Sequence, residues 1–94
     1  MNAYVYIITN KVNSVLYIGV TSDLAKRIYE HRNEAVEGFS KRYKLYKLVY
    51  FEQSDSIISA IEREKYLKGK TRKFKEGLIN SFNSEWKDLY EEIL

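Results

Sequence analysis

At 94 residues the chain fits one domain, taken as residues 1–94, with room for a single small core. A 45% apolar and 31% charged composition excludes wholesale disorder, and the absence of cysteine excludes a disulfide framework or a thiolate metal site. The net charge of +3 is modest, and no stretch reads as a leader or a membrane span, so a cytoplasmic protein with no membrane partner is expected.

The segments AYVYIIT and SVLYIGV are β-branched and aromatic without a breaker, and the polar NKVN between them predicts a hairpin. A loop over Asn10–Asn13 would pair Thr9 with Ser14, Tyr6 with Tyr17 and Tyr4 with Gly19, all on one face with Ile8 and Val15. Two phenols then meet across the strands, either as an aromatic pair or as part of a site. Gly19 has no side chain beside them and would leave room for a ligand.

The next segment, TSDLAKRIYEHRNEA, predicts a helix capped by Ser22 or Asp23. With Leu24 at zero, Ile28 falls near +40°, Arg27 near −60° and His31 near −20° at about 100° per residue. His31 therefore lies inside the apolar stripe and Arg27 borders it. A cation there either snorkels to water or meets an anion.

After a polar connection containing Gly38, YKLYKLVYFE predicts a third strand, and DSIISAIEREKYLKG a helix stopped at Gly69. With Ile57 at zero, Glu64 falls near −20° and Lys68 near +20°, which puts one carboxylate on the apolar face. An inward glutamate needs a partner, either Lys68 four residues on or a bound cation. The remainder predicts a basic helix and then an acidic amphipathic one, broken near Asn80–Ser84. Arg63, Lys65, Lys68, Lys70, Arg72, Lys73 and Lys75 form a basic run that is either a solvated helix face or a polyanion contact, with Lys68, Lys70, Arg72 and Lys73 as the candidate contacts.

Brought together, Tyr6, Tyr17, Arg27, His31 and Glu64 suit a metal-assisted phosphodiester site. Arg27 would stabilise charge growing on the phosphate oxygens, and Glu64 would hold one divalent cation, Mg²⁺ or Mn²⁺, that keeps several waters. Tyr6 as general base has a cost: ionising a phenol at pH 7 takes roughly 4 kcal/mol, which a metal, Arg27 or Lys11 would have to offset. His31 could accept the phenol's proton, or activate water itself.

The same residues resemble the GIY-YIG nuclease superfamily. Its first motif stands as Tyr4-Val5-Tyr6 and its second as Tyr17-Ile18-Gly19, with ten residues between Tyr6 and Tyr17. Arg27, ten positions after Tyr17, matches the catalytic arginine, His31 matches a position held by histidine or tyrosine, and Glu64 in AIERE matches the metal-binding glutamate. FNSEWKDLY is similar to the end of small stand-alone bacterial members, which also resemble the N-terminal nuclease domain of an excinuclease.

The resemblance implies an α+β fold with a three-stranded antiparallel sheet flanked by helices, in the order ββαβαα plus a C-terminal helix. It also implies one divalent metal and DNA strand cleavage, with repair or recombination as the process a nickase would serve. Tyr6 would be the base, Tyr17 and Arg27 would contact phosphate and water, and His31 would assist. Tyr4 stands in place of the family's first glycine, and its further asparagine has two candidates, Asn80 and Asn83. With no room for a targeting module, specificity would come from DNA structure, a homodimer or a protein partner. RNA offers the same diester, and a catalytically weak nucleic-acid-binding or adaptor domain is the alternative.

Overall fold

The computed structural model describes residues 2–35 and 38–94. Strands β1 (Ala3–Thr9), β2 (Leu16–Thr21) and β3 (Lys47–Ser54) form one antiparallel sheet in the order β2-β1-β3. Helices α1 (Leu24–Arg32) and α2 (Phe39–Arg42) lie between β2 and β3; α3 (Ile57–Lys68), α4 (Arg72–Phe82) and a 3₁₀ turn (Tyr90–Ile93) follow. The expected sheet flanked by helices is present, with a short α2 added. Among the described residues no helix is long and apolar enough to cross a membrane.

The central strand β1 sorts its side chains by the two-residue period. Ala3, Val5 and Ile7 join Ile18, Val49, Ala60, Leu67 and Ile79 in one cluster, under α3 and α4. Tyr6 and Ile8 join Leu24, Ile28, Leu45, Leu48 and Leu89 in the other, under α1 and the C-terminal segment.

Three expectations need correction. The hairpin loop is longer than four residues, because Thr9 pairs with Leu16 rather than Ser14. The Asn10 side chain causes this: its Oδ1 accepts from the Ser14 and Val15 amides at 2.8 and 3.1 Å, which takes both out of the ladder. Tyr6 consequently stands opposite Gly19, and Tyr17 opposite Ile8. Since a two-residue slip preserves faces, Tyr6 and Tyr17 still share one.

The third strand begins at Lys47 rather than Tyr43. Lys44 has a φ of 57° and the Leu45 amide turns back to the Ser40 carbonyl at 2.9 Å, so the chain extends only afterwards.

The acidic segment is a docked tail ending in the 3₁₀ turn rather than an amphipathic α-helix. Trp86 breaks helical geometry with a φ of 54°. Asp88 accepts from the Leu48 amide at 3.2 Å, and the Leu89 amide donates to the Leu48 carbonyl at 2.8 Å. Bonding to β3 therefore replaces the bonds a helix would have made internally.

Candidate catalytic site

Tyr6 lies in mid-strand, 1% exposed, with its ring over Gly19. A Cβ at Gly19 would overlap the phenol's Oη and Cζ. The space expected for a ligand at Gly19 is therefore filled by Tyr6, and the glycine serves the site by admitting that ring. Burial raises the Tyr6 pKa above its usual 10, and the neighbouring Tyr17 and Glu64 add to the rise. Arg27 opposes it through its nearby positive charge. At neutral pH Tyr6 is accordingly a protonated hydroxyl.

That hydroxyl meets His31 of α1, whose Nε2 is 2.8 Å from Oη. Asp23 caps α1 by accepting from the Lys26 amide, and the helix carries Ile28 and His31 into the core, His31 being 2% exposed. The second ring nitrogen, Nδ1, lies 2.8 Å from Ser40 Oγ on α2. Burial, then the Arg27 charge, lowers the His31 pKa from 6.5 to about 4, with Glu30 partly opposing. The imidazole is neutral at pH 7 and keeps one lone pair available to take a proton.

Arg27 stands at the border the helical spacing assigned it, its side chain 40% exposed and its Nε 3.4 Å from Glu30 Oε1. It reaches Tyr6 on one side and solvent on the other. Across the sheet edge, Glu64 holds the rim of α3's buried face, which runs through Ala60 and Leu67. The Glu64 side chain is 16% exposed and 3.6 Å from Lys68 Nζ, and that ammonium lies 5.9 Å from the Tyr17 ring centroid. Tyr17 also meets His31 edge-on at 5.9 Å and stacks on Phe39 at 6.0 Å. Because β2 is the edge strand, residues from both sheet faces meet around it.

Among the described residues no group of three or more His, Cys, Asp or Glu side chains could hold a metal. Glu64 on its own fits a hard divalent ion bound through one carboxylate, water and substrate oxygens, the arrangement Mg²⁺ tolerates because it dehydrates reluctantly. Its long contact with Lys68 leaves carboxylate oxygens free for such an ion. The donor set does not fit a tightly held resident metal.

The other expected contacts divide. Lys11 lines a separate cleft of about 650 Å³ with Arg32, Tyr43, Lys44, Lys47 and Asp88, and is not among the charges acting on Tyr6. Lys70 lies over the Tyr66 ring at 4.6 Å, and Arg72 clamps the hairpin loop through the Asn13 and Ser14 carbonyls at 2.6 and 2.8 Å. Arg63 makes a two-point contact with Glu52 at 2.9 and 3.3 Å, so part of the basic run serves the fold. Lys73 is exposed on α4.

Both candidate asparagines are engaged structurally: Asn80 accepts from the Trp86 indole at 2.6 Å, and Asn83 donates to the Val49 and Lys87 carbonyls at 3.2 and 2.8 Å. Sequence reasoning missed Ser40 and Glu30. Glu30 carries a signal, since it lies three residues after Arg27 on the same helix. Ser40 carries none, being a serine in a polar connection.

The GIY-YIG catalytic domain model matches residues 2–77 of the chain. The UPF0213 protein CPE1444 of Clostridium perfringens is 39% identical over 96% of this chain and 96% of its own length. The UPF0213 protein SSP2268 of Staphylococcus saprophyticus is 36% identical over 82% of this chain and 93% of its own. Among solved structures, the solution NMR structure of the UPF0213 protein BH0048 from Bacillus halodurans matches at a TM-score of 0.53 and 31% identity. It covers 85% of this chain and 84% of that one.

Proposed function

The chain belongs to the GIY-YIG catalytic-domain family, and from that membership together with the pocket's geometry we propose that it is a divalent-metal-dependent endonuclease cutting DNA one strand at a time. The family implies endonuclease chemistry in general; the observation that carries the finer reading is the Tyr6–His31 hydrogen bond of 2.8 Å beside Arg27 and Glu64.

Charge considerations assign the roles. A buried Tyr6 with a raised pKa cannot wait as a phenolate, so its ionisation must be coupled to another transfer. As an attacking water gives its proton to Oη, the phenol's own proton passes to His31 Nε2, and no free phenolate forms. The water oxygen bonds to phosphorus and the bond to the leaving sugar oxygen breaks. Arg27, near Tyr6 and part-exposed, faces the nonbridging oxygens where charge grows. A cation held by Glu64 would polarise the phosphate and neutralise the leaving oxygen. Tyr17 and Lys68 line the approach, and the exposed Lys68 ammonium favours a polyanionic strand there.

Supercoiled plasmid tests this with Mg²⁺ or Mn²⁺. The wild type is expected to produce nicked circles before linear DNA, because one site cuts one strand. Tyr6→Phe, Arg27→Ala and Glu64→Ala should each lose about 100-fold or more in rate. A wild type that shifts DNA in a gel yet never nicks it would leave a nucleic-acid-binding domain in place of the enzyme. Full activity in Glu64→Ala would remove the metal role alone.

A further inference from the structure

We propose that Ser40 is a positioning residue that fixes His31 in the Nδ1–H tautomer, leaving Nε2 free to take the Tyr6 proton. The catalytic part of this proposal rests on the nuclease reading above; the tautomer part does not.

Neutral imidazole has one N–H and one lone pair, and the hydrogen bond at one nitrogen decides which group the other presents. Tyr6 brings a buried hydroxyl hydrogen that needs an acceptor. Arg27 can only donate to Oη, so it cannot serve, and His31 Nε2 at 2.8 Å can. The ring's N–H then sits on Nδ1 and points at Ser40 Oγ, 2.8 Å away, which accepts it. In the opposite tautomer Nε2–H would donate to Oη, which leaves the Tyr6 hydroxyl hydrogen without its imidazole acceptor and no lone pair at Nε2 for the proton.

Local architecture delivers Ser40 to this position. Helix α2 has four residues, and Ser40 is the buried one, 4% exposed. The Ser40 carbonyl is tied to the Leu45 amide at 2.9 Å, and its neighbour Phe39 stacks on Tyr17 at 6.0 Å and contacts Tyr43 at 4.7 Å. Backbone and flanking ring therefore hold the hydroxyl against an imidazole that is itself buried and bonded at both ring nitrogens. The side chain that α2 turns inward thus has His31 as its polar partner.

Two readouts test the proposal in the full-length protein. His31 is the sole histidine of the chain, so its ring ¹⁵N resonances need no assignment. The wild type should show a protonated Nδ1 and an unprotonated Nε2 at pH 7, and Ser40→Ala should show mixed tautomers. In plasmid nicking, Ser40→Ala should lower kcat about 10-fold or more with KM within about twofold, and Ser40→Thr, which keeps the hydroxyl, should restore most of it.

An Nε2–H tautomer in the wild type overturns the proposal, and this arm needs no variant to fold. So does a tautomer change with unaltered kcat, or a kcat loss with unaltered tautomer. A wild type that shows the expected tautomer but no nicking would sink the nuclease reading while leaving Ser40 as the group that orients His31.

Discussion

On the sheet face beneath α3 and α4, the buried cluster of Ala3, Val5, Ile7, Ile18, Val49, Ala60, Leu67 and Ile79 is almost wholly aliphatic, with Tyr50 at its border. On the opposite face, Ile8, Leu24, Ile28, Leu45 and Leu48 share the interior with the bonded chain Tyr6–His31–Ser40. The first face gains stability chiefly from apolar burial, with Asn83 bonded to the Val49 carbonyl at its border. The second buries the polar side chains of Tyr6, His31 and Ser40 in its interior, and each must be hydrogen-bonded to be tolerated. Both faces hold up the same strand, and neighbouring residues of β1 belong to opposite ones. A substitution can therefore separate folding from chemistry by a single step along the chain.

The sharpest separation compares Leu67→Ala with Gly19→Ala. Leu67 is fully buried in the aliphatic cluster, so truncation should cost about 2–5 kcal/mol in urea unfolding while leaving nicking per folded molecule unchanged. At Gly19 the added methyl overlaps the Tyr6 ring and forces it aside. The expected cost there is about 1–3 kcal/mol, with nicking reduced about 100-fold even where the protein is folded. Equal activity loss per folded molecule in the two variants would break the distinction between the faces.

Acid should act through the polar face. The His31 pKa is about 4 in the fold and 6.5 when free. Between those values the unfolded chain binds the proton and the folded one does not, so stability is full above ~6.5 and falls as pH drops toward about 4. The loss from this one group is on the order of 3 kcal/mol. Thermal melts from pH 7 to pH 4 should thus be steeper for the wild type than for His31→Gln. Parallel curves would mean that His31 takes its proton as readily in the fold as in solution.

The same contrast explains what the sequence made legible. Tyr6, Arg27, His31 and Glu64 stand out because strand alternation and helical spacing place polar groups where apolar ones are expected, and both periods act over a few residues. The family motif carried the same positions. The hairpin register was not legible, because one Asn10 side chain replaces ladder bonds and shifts the pairing by two. Nor was the tail, whose apolar residues Trp86, Leu89, Tyr90 and Ile93 have helical spacing but whose Asp88 and Leu89 bond to Leu48 of β3. Ser40 was hidden for a related reason: its role lies in a contact with His31, nine positions before it, and not in any pattern of its own segment.

The smallest expected effect lies at the rim of the polar face. Glu30 holds Arg27 at 3.4 Å through an ion pair that is partly exposed on both sides, so its worth to stability is at most about 1 kcal/mol. Its worth to function is of another kind, because a phosphate diester must compete with that carboxylate for the same guanidinium. Glu30→Gln keeps the side chain's shape and removes its charge. The expected outcome is a melting temperature within a few degrees of wild type, a KM for DNA lowered about two- to fivefold, and a steeper dependence of binding on salt, as one more cation becomes free to displace counterions. A fall in kcat with KM unchanged would reverse the assignment: Glu30 would then orient Arg27 toward the reacting phosphate, and the polar face would extend one residue further toward solvent than its buried chain of hydrogen bonds.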